Sequence, residues 1–223
     1  MPPEEFSIQP DLVRAVVFDL GGVLIEGGPS EVIAFGSRTG LSENQWRTLR
    51  RDLFGNDGMW AQLERGEVTY ADFTSELRRR VIEAGGNVSE EHAADFMGRP
   101  EPMGGKSPAR PAMIDAVRAL RKVVATALLT NNVVEWREGW SAVFKDPELF
   151  EVVIDSSEVG TRKPEPEIYE ITQERLGIPH EAILFVDDIG QNLKAAKKLG
   201  WQTVLFTEEA KVLPVLRSIW SRS

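Results

Sequence analysis

The run Val16-Val17-Phe18-Asp19-Leu20-Gly21-Gly22-Val23-Leu24 constrains this chain more than any other stretch. Its first part is short, β-branched and apolar on both faces, which suits a strand buried inside a parallel sheet. Gly21-Gly22 then lets the backbone turn tightly and come close to a ligand. Asp19 is therefore expected at the carboxyl end of a central strand, the edge where open α/β sheets place their sites. An aspartate that ends a strand is also an ordinary turn residue, so the meaning of Asp19 depends on what the rest of the chain brings beside it.

Gly27-Gly28-Pro29-Ser30 breaks the pattern. From about 30 to 107 the sequence has helical periodicity and almost no β-branched runs. Helices are expected over Glu31–Thr39, over Ser42–Leu53 with Ser42 and Gln45 as a capping box, over Tyr70–Ala84 after a turn at 66–69, and from Ser89 to Phe96 or Met97. Arg78-Arg79-Arg80 reads as a solvated helix face. Residues 98–111 are rich in proline and glycine and form a linker. Gly105-Lys106-Ser107 resembles the end of a phosphate loop, but Pro100 stands where the first glycine belongs and no strand precedes it, so that motif is rejected.

Beyond the linker, strands and helices alternate. Helices are expected at 111–122, 133–144, 165–176, 191–199 and 209–220. Strands are expected at 124–129, 152–154, 183–186 and 203–206. This alternation implies a parallel sheet with right-handed crossovers, to which the first strand, near 14–19, belongs. The expected architecture is α/β: a Rossmann-like parallel-sheet core of residues 1–28 and 108–223, with a helical cap of residues 29–107 inserted after the first core strand.

Four polar groups then fall at or just past strand ends: Asp19, Thr130-Asn131-Asn132, Lys163 in Gly160-Thr161-Arg162-Lys163-Pro164, and Asp187-Asp188. In a parallel sheet the carboxyl ends share one edge, so these groups converge. Three carboxylates near one point repel unless a cation separates them, and a hard divalent ion, Mg²⁺, fits an all-oxygen donor set. Lys163 and Thr130 are left to hold an anion, and the helix expected after Thr130 offers its N-terminal amides to a phosphate. One aspartate is free to attack phosphorus.

Composition narrows the partners. The net charge of −9 disfavours general nucleic-acid and anionic-membrane surfaces. The absence of cysteine removes thiolate chemistry and disulfides, and two histidines, His92 and His180, are too few for histidine-rich metal sites. Residues Met1–Glu5 lack the basic and apolar regions of a signal peptide and no run approaches a membrane span. A cytoplasmic protein, monomeric or homodimeric, acting on a small phosphorylated substrate is expected.

The order Asp, Thr, Lys, Asp-Asp, with a helical insertion after the first strand, resembles the haloacid dehalogenase superfamily. Val159–Tyr169 and Phe185–Lys194 are similar to the N-terminal phosphatase domain of soluble epoxide hydrolases. The resemblance implies a role for each matching position. Asp19 corresponds to the nucleophile that becomes an aspartyl-phosphate, and the backbone carbonyl of Gly21 to a metal ligand. Thr130 and Asn131 correspond to the phosphoryl-binding hydroxyl and amide, and Lys163 to the lysine bridging nucleophile and phosphate. Asp188 corresponds to a direct metal ligand, Asp187 to its support, and Asn192 to a position behind them.

The chain departs from these phosphatases at Gly21, where they carry an aspartate that protonates the leaving group. Two other readings follow: a metal-free haloacid dehalogenase, which has no use for the Asp187-Asp188 pair, and a non-catalytic phosphate-ligand-binding protein. A phosphorylatable receiver domain carries similar groups in a different order. Trp46, Phe54, Met59, Trp60 and His92 are expected mainly in the cap core, with a pocket lining as the alternative. Trp136 and Trp140, four apart, are expected to pack on one helix face.

Overall fold

The computed structural model describes residues 8–26, 30–96, 109–137 and 148–221. Five strands form one sheet: β1 (Ala15–Phe18), β2 (Ala125–Thr130), β3 (Val152–Asp155), β4 (Ile183–Asp187) and β5 (Gln202–Leu205). Their order is β3-β2-β1-β4-β5 and every pairing is parallel. β1 is the central strand, so the expectation from its apolar run holds. The register aligns Phe18 with Leu128 on one side and with Val186 on the other. Asp19, the next residue, therefore emerges between the ends of β2 and β4.

Period-two alternation sends successive β1 side chains to opposite faces. Val16 and Phe18 join Leu128, Leu184, Val186 and Val204 against α6 (Pro111–Leu120) and the last helix, Glu209–Trp220. Ala15 and Val17 join Ala127, Leu129, Ile183 and Phe185 against α8 (Pro166–Leu176) and α9 (Gly190–Lys198). A four-residue helix, α7 (Ser156–Val159), precedes α8, and the helix Glu209–Trp220 is α10. Both faces of the sheet are thus covered by helices, giving three layers.

Among the described residues, five helices lie between β1 and α6: α1 (Ser30–Ser37), α2 (Glu43–Phe54), α3 (Met59–Glu64), α4 (Tyr70–Glu83) and α5 (Glu90–Ala94). The start of α2 is the expected capping box of Ser42 and Gln45, and Thr69 with Asp72 makes a second one at α4. This cap has its own core of Phe35, Trp46, Leu53, Leu63, Phe73, Leu77 and Phe96. Trp46, Phe54, Met59 and Trp60 pack into this cluster, and His92 stacks on Phe35 at 5.1 Å, as expected of a cap core. Val133 and Trp136 from the loop after β2 also enter it, so the cap core continues onto the site edge of the sheet.

Two differences from the sequence-based expectations matter. α3 was not foreseen. The chain after Thr130 continues through Asn131–Val133 before a 3-10 turn at Val134–Trp136, so no helix starts at Thr130-Asn131 to point its amides at a phosphate. The remainder of the helix expected at 133–144 lies outside the described residues, as do Trp140 and the proposed domain boundaries at 28–29 and 107–108. No helix among the described residues is long and apolar enough to cross a membrane.

Phe185 lies fully buried in the layer beneath α8 and α9, with edge-on contacts to Tyr169 and Trp201. Phe185→Ala should lower the unfolding free energy by about 3–5 kcal/mol. Urea denaturation followed by circular dichroism checks this; a change below about 1 kcal/mol would mean the layer collapses around the vacancy.

Candidate active site

At the carboxyl edge of the sheet the Lys163 ammonium is buried between Asp19 and Asp187, and Asn131 holds the Lys163 backbone. The Lys163 Nζ lies 2.7 Å from Asp19 Oδ1 and 2.8 Å from Asp187 Oδ2, and its side chain is 1% exposed. A buried charge is tolerable only when paired and hydrogen-bonded, and two carboxylates meet that need. Burial alone would lower the Lys163 ammonium, but Asp187 and Asp19 outweigh it and hold it above the ordinary lysine range. Asp19 has the opposite problem. Its burial, with some repulsion from Asp187 and Asp188, outweighs Lys163 and pushes its carboxyl up to about 7. Burial and Asp187 likewise raise Asp188, which is half-buried.

Each member is held from behind. Asp19 Oδ1 also accepts the Leu20 N–H at 2.7 Å, while its own N–H donates to the Val186 carbonyl. Asp187 Oδ1 accepts from the Ile189 N–H, and both its oxygens accept from the Asn192 amide at 3.1–3.2 Å. With Lys163 added, Asp187 has both oxygens committed. Asn192, in the first turn of α9, is itself buried, and its carbonyl accepts from the Tyr169 hydroxyl. Asn131 grips the lysine loop with both ends of its side chain. Its Oδ1 accepts the Lys163 N–H at 2.8 Å and its Nδ2 donates to the Lys163 carbonyl at 2.9 Å. Thr130 is buried beside it, its hydroxyl 3.3 Å from the Asn131 carbonyl.

A further residue shapes this edge without having been foreseen. Asp155 ends β3, aligned with Thr130, and its carboxylate accepts from the Asn132 amide at 2.7 Å and from Ser157. The signal was available, because Asp155 follows Val152-Val153-Ile154 at a strand end. It acts on the loop after β2 and not on the ammonium.

The two glycines after Asp19 differ sharply. Gly22 has φ +79, and a Cβ there would land on the Asp188 carboxylate, so both conformation and space demand glycine. Gly21 is exposed and a Cβ would meet nothing. Ligand atoms of Asp19, Asp187 and Asp188 all lie within 4.8 Å of one another. These are hard oxygen donors crowded by a single ammonium, a set that fits a divalent cation of the Mg²⁺ type.

The comparisons with known proteins agree with this geometry. A family model described as haloacid dehalogenase-like hydrolase matches residues 13–200, and the chain belongs to that family of hydrolases. Mouse bifunctional epoxide hydrolase 2 is 28% identical over 221 residues, which is 93% of this chain and 39% of that protein. The chain thus spans well under half of that relative. D-ribitol-5-phosphate phosphatase of Bacteroides thetaiotaomicron is 25% identical over 201 residues, 86% of this chain and 91% of that one. Among solved structures, a haloacid dehalogenase-family enzyme from the same organism, in complex with magnesium and inorganic phosphate, superimposes with a TM-score of 0.65 at 25% identity. It covers 88% of this chain and 96% of its own.

The raised carboxyls give a pH dependence. Their charged forms are disfavoured by folding, so the stability associated with Asp19 is fully present below its ordinary value of 3.8 and is lost as the pH rises to about 7. Asp19→Asn removes that loss. In EDTA, the melting temperature of the variant relative to wild type should climb between about pH 4 and about pH 7 and level off above. A difference that stays flat across this range in calorimetry would contradict it.

Proposed function

We propose that the chain is a Mg²⁺-dependent phosphomonoesterase that works through an aspartyl-phosphate on a small phosphorylated substrate. The observation that carries this reading is the Lys163 ammonium bridging Asp19 and Asp187 beside Asp188. Lysine supplies positive charge for an incoming phosphoryl group, and the acid cluster calls for a cation that supplies more. A phosphatase relative that covers most of this chain, and a family structure that binds magnesium and phosphate, support the same reading.

In this proposal Asp19 Oδ attacks phosphorus, the P–O bond to the leaving group breaks, and its electron pair departs with that oxygen. Water then attacks the aspartyl-phosphate, freeing phosphate and regenerating the Asp19 carboxylate. Lys163 holds the nucleophile and offsets charge on the transferring oxygens. Because both Asp187 oxygens are taken, Asp19, Asp188 and the Gly21 carbonyl would hold the cation, with Asp187 and Asn192 supporting them from behind. When bound, Mg²⁺ would supply positive charge to offset that of the phosphate. Thr130 contributes the phosphoryl-facing hydroxyl. Asn131, the other residue assigned to phosphoryl binding, has its side-chain amide committed to Lys163, so it serves there chiefly by fixing the lysine loop.

Gly21 places no acid beside the leaving group. Proton donation contributes about 10²–10⁴-fold to such reactions, so the favoured substrates are those whose leaving group departs without it, such as aryl, acyl or anomeric phosphates.

A phosphate-ester panel with Mg²⁺ tests the reading. Wild type should turn over aryl and acyl phosphates, and Asp19→Asn or EDTA should abolish it. Gly21→Asp, for which space is open, should raise rates on alkyl phosphates with little change on aryl ones. Activity that survives EDTA, or release of halide from a 2-haloacid, would favour the metal-free dehalogenase. Metal-dependent phosphate binding without turnover of any ester would make the chain a binding protein.

A further inference from the structure

At the end of α3 the cap touches the lysine loop through Glu64 and Arg65. Glu64 is 8% exposed. Its Oε1 accepts the Trp60 indole N–H at 2.8 Å, and its Oε2 lies 2.5 Å from Arg162 Nε and 3.4 Å from Asn131 Nδ2. Arg65 donates to Glu165 Oε1 at 2.9 Å. The other Glu165 oxygen accepts from the Thr161 hydroxyl and the Arg162 N–H. Gly66 has φ +72, and a Cβ on it would run into the Ser157 carbonyl, so the cap backbone sits directly on α7.

Two ion pairs of opposite sense therefore cross this boundary. The cap acid Glu64 meets the core base Arg162, and the cap base Arg65 meets the core acid Glu165. Their core partners stand on either side of Lys163 in sequence. Through Asn131, Glu64 also reaches the residue that grips the Lys163 backbone from both sides. Stability alone is a weak reason for such a contact, because desolvating a buried pair offsets most of its attraction. Geometry is the stronger one, since the Arg65–Glu165 and Asn131–Glu64 hydrogen bonds, with the close Glu64–Arg162 ion pair, hold the loop at several points.

We propose that Glu64 is a positioning residue supplied by the cap. When the cap is seated, Glu64 fixes Arg162 and Asn131, these fix the Lys163 backbone, and the ammonium is held between Asp19 and Asp187. Without Glu64 this chain of contacts is broken and the Lys163 loop is less firmly held. Glu64 is not placed here as the missing proton donor, because both its oxygens are engaged by Trp60, Arg162 and Asn131. What Lys163 acts upon rests on the phosphatase reading above; the clamp itself does not.

The test compares wild type with Glu64→Gln, Glu64→Asp and Arg65→Gln. Hydrogen–deuterium exchange is read over segments 130–133 and 160–166, and steady-state kinetics are measured with p-nitrophenyl phosphate and acetyl phosphate in Mg²⁺. Glu64→Gln should speed exchange in both segments. It should lower kcat on the order of 10–100-fold, the range expected for a small misplacement of a catalytic group, by the same factor for both esters and with KM little changed. Glu64→Asp should recover part of the loss, and Arg65→Gln should show a weaker version of the same pattern, which stands if Glu64→Gln does not fold. Unchanged exchange in 160–166 in a folded Glu64→Gln or Arg65→Gln protein overturns the proposal. So does a loss confined to one ester, because Glu64 would then be touching the leaving group. If wild type hydrolyses neither ester, the phosphatase reading fails while the exchange measurement still decides the clamp.

Discussion

The structure depends on one buried ammonium. Lys163 sits almost without water between Asp19 and Asp187, and a cation in that setting is stable only if its partners cannot move away. The fold meets this demand by placing the partners on adjacent strands. β1 and β4 are hydrogen-bonded neighbours, so Asp19 and Asp187 are side by side before any side chain is chosen. Lys163 comes from a loop and has no strand to fix it, which is why Asn131 holds its backbone at both ends. The ammonium in turn moderates the repulsion that Asp187 and Asp188 impose on Asp19. It leaves the edge with more carboxylate than ammonium, the imbalance that a hard divalent cation would correct.

The layers around the sheet give this edge its rigidity. The apolar residues of β1 are shared between two helical layers, one built on α6 and α10 and the other on α8 and α9. Shifting β1 by one residue would exchange its two faces and misplace Asp19 together with the core. Site geometry and core packing are therefore enforced by the same register. The cap obeys a separate hydrophobic cluster that meets the core through Val133, Trp136 and the residues about Glu64. Cap and sheet are thus packed as separate clusters joined by few residues.

Most of the core was legible in the sequence because its signals are local. Strand runs such as Val16–Phe18 and Ile183–Val186 end in the polar groups that make the site, and Ser42 with Gln45 announces a helix start in four residues. Parallel connection then brings distant strand ends to one edge without further information. Other features were hidden for identifiable reasons. α3 is only six residues long, too short for helical periodicity to separate it from a turn. Glu64 looks like any other acid on a charged surface until Arg162 and Asn131 meet it in space. The expectation of a helix beginning at Thr130-Asn131 failed because Asn131 and Asn132 spend their side chains on Lys163 and Asp155 instead of capping.

The two glycines after Asp19 illustrate how neighbouring positions can differ in what they permit. Gly22 lies under the Asp188 carboxylate with a left-handed backbone, whereas Gly21 faces open space. A library randomised over both positions would keep almost no diversity at one and a broad alphabet at the other. Along any lineage of this sequence, side-chain variation would then enter through position 21, while position 22 stayed glycine between Asp19 and the Asp188 carboxylate.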